Sequence, residues 1–259
     1  MSEPVNSEQW IVRIGGRAAI LGALFAGIGN LLHPITPRDD PVGVAQVIGG
    51  SEPWALIHLI IMLGILLMLG GLIAIRPTIR GGLPETLADL GVYAGVIGAT
   101  VGVITVILDG VAAKTLADQW AVAPVDEKQV ALSVVSANET INFALASLFN
   151  MSFAGLPFLL LGLAVTFGSA FPRWLGWIAA GAGAGSIMAG LFQAITGEPT
   201  IASLVLTIIG PTVVSLWLLV MGILLSLRRA GTERLAPDYI LPRSTAADVI
   251  NYQTTEPGC

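Results

Sequence analysis

The stretch "WALIHLIIMLGILLMLGGLIAI", residues 54–75, decides the fold. It holds no Asp, Glu, Lys or Arg over 22 residues. At 1.5 Å per residue a helix of that length is about 33 Å long, which matches a hydrocarbon core about 30 Å thick. Five further apolar stretches lie at about 16–33, 89–111, 136–168, 173–195 and 201–227. The fourth exceeds the roughly 20 residues that one crossing needs. Its apolar part is Phe143–Phe167, so the residues before it are expected to project from the membrane. Of the 259 residues, 54% are hydrophobic and only 11% charged, against about 25% charged in soluble domains. The expected fold is all-α: a polytopic membrane bundle of six transmembrane helices over residues 1–229, followed by a partly disordered cytoplasmic tail at 230–259.

The arginines give the orientation. Arg13, Arg17, Arg76, Arg80, Arg173, Arg228, Arg229, Arg234 and Arg243 fall on one side of the spans. Only Arg38, Lys114 and Lys128 fall on the other. Cytoplasmic segments are rich in Lys and Arg, so this asymmetry places both termini in the cytoplasm. Glu3 and Glu8 stand where a cleaved signal peptide has its basic region, so span 1 is expected to act as an uncleaved anchor. The only cysteine, Cys259, rules out an intrachain disulfide. Ten Arg against two Lys, with abundant Ala and Gly, is the composition of a GC-rich bacterial genome, and the expected location is a bacterial cytoplasmic membrane.

Spans 1, 3 and 5 carry small residues four apart, including Gly98 and Gly102 in span 3 and Gly181 and Gly185 in span 5. Small-xxx-small faces allow close helix contact in lipid, so these three spans are expected at the centre. "LLMLGGLIAIR" (66–76) resembles "LLVMGILLSLR" (218–228), consistent with three tandem hairpins. Pro157 and Pro211 are expected to kink spans 4 and 6. The first outer loop, with Pro34, Pro37, Pro41 and Pro53, is expected to form a structured cap. The second, about 112–135, either extends helix 3 or lies along the surface.

Polar residues gather at the outer ends. "GNLLHP" (29–34) ends span 1 with Asn30 and His33; His58 starts span 2, and Asp109 ends span 3. Glu139 and Asn142 begin span 4, Gln193 ends span 5, and Thr207 lies near the start of span 6. Glu139, Asn142 and Asn150 share one helix face at i, i+3 and i+11. An Asn facing lipid at the depth of Asn150 is costly, so it should point inward. The candidate pocket is therefore Asn30, His33, His58, Asp109, Glu139, Asn142, Asn150 and Gln193. Two imidazoles and two carboxylates suit a divalent metal such as zinc, a proton-exchanging site or a polar ligand head group. Each residue alone also has an ordinary role: His33 solvating a helix end, Asp109 pairing with Lys114, Asn150 bridging helices.

No HExxH, CxxC, nucleotide loop or GxSxG elbow is present. The glycines of "GAGAGSIMAG" sit mid-span with no preceding strand, and no basic patch suits nucleic acid. Haem b between the two histidines is geometrically awkward, and no cofactor is assigned. At "GNLLHP", "LIHLIIMLGILLMLGG" (56–71) and "FPRWLGWIA" (171–179) the chain resembles an uncharacterised bacterial family of small six-helix integral membrane proteins. That resemblance implies a fold and a membrane location, and carries no activity. Three readings stay open. The first is a non-enzymatic membrane protein with an outward-facing pocket for a small ligand, ion or lipid head group, or an accessory subunit or sensor. The second is a metal-dependent intramembrane hydrolase using His33, His58, Asp109 and Glu139. The third is a proton-coupled transporter.

Overall fold

The computed structural model describes residues 7–37, 40–197 and 201–227. The tail expected at 230–259 lies outside the described residues. The helices are α1 (Ser7–Leu32), α2 (Pro41–Gly50), α3 (Trp54–Ile75), α4 (Gly82–Ile107), α5 (Ala113–Val122), α6 (Lys128–Phe149), α7 (Leu156–Phe167), α8 (Arg173–Thr196) and α9 (Ile201–Leu227). Six helical stretches among the described residues are long and apolar enough to cross a membrane. Two of them are compound. α4 runs into α5 through a wide π turn, Leu108–Ala112, and α6 runs into α7 through a second, Asn150–Gly155. The resulting rods of 41 and 40 residues are about 60 Å long, twice a hydrocarbon core. The protein is thus an all-α, multi-span membrane bundle.

Successive spans pack side by side: α1 on α3, α3 on α4, α4 on α7, α7 on α8 and α8 on α9. α9 then returns to pack on α1 and also touches α3. This closed order replaces the expected central trio of spans 1, 3 and 5. Small residues serve neighbouring pairs instead. A Cβ on Gly22 would come 2.6 Å from the backbone nitrogen of Met68, and one on Gly64 2.7 Å from that of Ala26. α1 and α3 therefore meet backbone to backbone. Gly98 does lie at a close contact, against Ser152 and Phe153, but a Cβ on Gly181 or Gly185 would meet no neighbouring atom within 4 Å. Gly181 and Gly185 look outward because α8 buries its other side, through Gly183, Ser186 and Gly190.

The second wide turn ends just before Pro157, which stands at the start of α7. Proline cannot donate to the carbonyl four residues earlier, and the extra residue in the turn absorbs that break. Between α1 and α3, α2 is started by Asp40, whose side chain accepts from the Gly43 N–H at 2.9 Å. Val44 and Ile48 of α2 bury against Trp54, Ala113 and Ala117. The first loop is therefore a packed cap. The loop between spans 3 and 4 is mostly helix: α5 continues span 3 and α6 returns from it. At the other end Arg76 ties spans 2 and 3 together. Its Nη2 lies 3.0 Å from Asp89 Oδ2 and 3.1 Å from Glu85 Oε1.

Candidate metal centre

Three side chains from three separate elements meet beneath the α2 cap. His33 follows the last residue of α1. His58 is in the second turn of α3 and is 2% exposed. Asp109 is the second residue of the first wide turn. A π turn carries one more residue than an α turn and so re-aims the side chains that follow it. Gly110 makes room for the result: a Cβ there would collide with Cβ and Cγ of His58.

His33 Nε2 lies 3.2 Å from His58 Nε2. Asp109 Oδ2 lies 3.2 Å from His58 Nε2 and 3.9 Å from His33 Nε2. The other nitrogen of each ring faces a backbone carbonyl: His33 Nδ1 is 2.8 Å from the Pro34 oxygen, and His58 Nδ1 is 2.7 Å from the Trp54 oxygen. A carbonyl only accepts, so each Nδ1 carries the ring proton. In the neutral rings both Nε2 atoms then present lone pairs. With both rings in that neutral form, two nitrogen lone pairs and a carboxylate oxygen face one another.

Trp54 braces the group. Its indole N–H donates to the Asp109 carbonyl oxygen at 2.8 Å, and its ring centroid lies 4.8 Å from that of His33 and 4.9 Å from that of His58. Burial holds the His33 imidazole below the ordinary histidine range, and the Asp109 carboxylate pulls the other way. Asp109 does not pair with Lys114, which bonds to Asp118 and to the Gly49 carbonyl oxygen.

The chain belongs to the DUF4386 family. Its model, a domain of unknown function, matches residues 14–222. That range contains His33, His58 and Asp109 and all six spans apart from the first residues of α1 and the last residues of α9. No curated protein and no solved structure matches the chain.

The remaining candidates divide by depth. Glu139 lies within electrostatic range of Asp109 and His58. Its Oε1 and the Oδ1 of Asn142 are buried without a hydrogen-bond partner. Asn150 and Gln193 belong to a second, deeper group. Asn150 Nδ2 donates to Gln193 Oε1 at 2.7 Å and to Thr207 Oγ1 at 3.1 Å. Asn150 is eleven residues beyond Glu139, about 16 Å along the helix. The single vestibule expected from sequence is thus two polar levels. Asn30 joins neither: its side chain is exposed and donates to the Ala26 carbonyl of its own helix at 2.7 Å.

Sequence reasoning passed over Trp54 and Gly110. Trp54 stands four residues before His58, one helical turn away, and Gly110 directly follows Asp109. Both spacings were visible. The wide turn that gives them meaning was not.

Proposed function

We propose that this integral membrane protein binds a single divalent cation, zinc foremost, in an outward-facing pocket built on His33, His58 and Asp109. The convergence of three acceptor lone pairs carries this reading. A cation relieves their mutual repulsion, and the geometry suits one. Two ligands bound at 2.0–2.1 Å to a tetrahedral zinc lie about 3.3 Å apart, close to the 3.2, 3.2 and 3.9 Å separations of the three donors. The Nδ1 contacts to Pro34 and Trp54 are the outer-shell partners that metal-bound imidazoles normally have. A porphyrin plane has no room between rings whose Nε2 atoms approach to 3.2 Å, which weighs against haem.

The orientation belongs to the same proposal. The arginine asymmetry supports cytoplasmic termini in a bacterial inner membrane, with the metal pocket opening to the far side. A reporter fused after Cys259 should be active only in the cytoplasm.

Isothermal titration of the purified, chelator-stripped protein with zinc tests the binding. One equivalent should bind to the wild type and none to His58→Ala or Asp109→Ala. Equal binding by all three would overturn the site. A wild type that takes up no zinc would leave the triad as a proton-holding group.

A further inference from the structure

We infer that Glu139 makes the His33–His58–Asp109 centre hydrolytic, and that its substrate class is the acyl ester of a membrane lipid. This inference rests on the metal-binding reading above. Three protein ligands leave the fourth position of a tetrahedron to a non-protein ligand, which is the pattern of catalytic rather than structural zinc sites. α6 packs against the turn that carries Asp109. It brings Glu139 within electrostatic range of two of the three donors. Glu139 Oε1 is buried with no hydrogen-bond partner, and so is Asn142 Oδ1 one turn along. Buried acceptors without donors are costly. A water held at the centre would offer the Glu139 oxygen a donor.

The substrate class follows from depth and surroundings. Asp109 is 20 residues beyond Asp89, whose ion pair with Arg76 marks the inner end of the span, about 30 Å along the helix. That equals a hydrocarbon core about 30 Å thick, so the centre stands at the level of the outer ester linkages. The segment bearing His33 is apolar on its open side. Leu31 is 86% exposed, Leu32 57% and Ile35 94%. An acyl chain in the outer leaflet can lie along these residues while its ester reaches the histidines.

The reaction is a hydrolysis. Water in the fourth position gives a proton to Glu139 and its oxygen to the ester carbonyl carbon. The bond from that carbon to the alcohol oxygen breaks. Glu139 returns the proton to the departing alcohol, so ester and water become acid and alcohol.

The test uses the full-length, zinc-loaded protein in mixed micelles of detergent and the oleoyl ester of a fluorogenic phenol. Wild type should hydrolyse the ester, lose the activity to a chelator and regain it with zinc. Glu139→Gln should lower kcat about 100-fold or more, the scale of general acid–base catalysis, with KM little changed, and Glu139→Asp should retain part of the rate. The visible spectrum of the cobalt-substituted Glu139→Gln protein should equal that of wild type, because the three ligands remain. A changed cobalt spectrum would make Glu139 a ligand and overturn the inference. So would full activity in Glu139→Gln. A wild type that binds one zinc and leaves the ester intact would overturn hydrolysis while the binding site stands. A wild type that binds no zinc would overturn both.

Discussion

His33 and His58 stand 25 positions apart in sequence and meet with their Nε2 atoms 3.2 Å apart. The backbone decides that meeting. Gly22 and Gly64 let α1 and α3 run in backbone contact, so residues at matching heights on the two helices fall within one side chain of each other. The Pro34 and Trp54 carbonyls then turn both rings the same way, protons outward and lone pairs together.

Zinc affinity should depend on pH in one direction only. A metal-bound imidazole must be neutral, so protons compete with the metal. Burial keeps the His33 pKa below its ordinary value, so this ring resists protonation more than a free imidazole does. Affinity measured by competition with a chelating dye should fall as pH is lowered through the histidine range. An affinity that rises or stays constant from pH 8 to pH 5 would contradict it.

Gly110→Ala should damage the centre without touching a ligand. The added methyl collides with Cβ and Cγ of His58, and relieving such overpacking costs about 1–3 kcal/mol. Zinc affinity should drop at least tenfold and the melting temperature in detergent should fall. Wild-type affinity in this variant would mean that the turn yields freely.

Glycine substitutions in spans 3 and 5 should part company. Gly98 abuts the backbone at Ser152 and Phe153, whereas a Cβ on Gly185 would meet no neighbouring atom within 4 Å. Gly98→Leu should therefore destabilise the bundle strongly. Gly185→Leu should be tolerated, because a side chain there meets no neighbouring helix. Thermal unfolding of both in the same detergent checks the contrast, and equal losses would contradict the packing order described above.

The six spans, the all-α fold and the α2 cap were legible because hydropathy, length and proline spacing report directly on burial in lipid. The meeting of His33 with His58 was legible too, since a hairpin brings equal depths together. Which glycines touch a neighbour was not. A run such as "GAGAG" offers small residues on both sides of a helix, and only the neighbours' positions choose between them. The two wide turns were equally hidden. A π turn depends on how a long helix is held at both ends, and the sequence around Asp109 and Asn150 reads as unbroken helix. For the same reason Asn150 and Gln193 looked continuous with the outer cluster, although their hydrogen bonds close on each other and on Thr207.

Asn150→Ala should separate the two polar levels. It removes donors to Gln193 and Thr207, an interhelical contact of the kind worth about 0.6 kcal/mol and at most about 1.7 kcal/mol in membrane bundles. A modest fall in melting temperature should accompany unchanged zinc affinity, because the group lies about 16 Å from Glu139 along the helix. Loss of zinc binding in this variant would show the two levels to be one site.

Zinc K-edge X-ray absorption on the protein loaded with one equivalent tests the central claim most directly. A centre built on His33, His58 and Asp109 predicts a four-coordinate shell with nitrogen and oxygen at about 2.0–2.2 Å and the outer scattering of two imidazole rings. Replacing both histidines by alanine should remove the ring scattering. A six-coordinate shell of oxygens with no imidazole signal in the wild type would contradict the account.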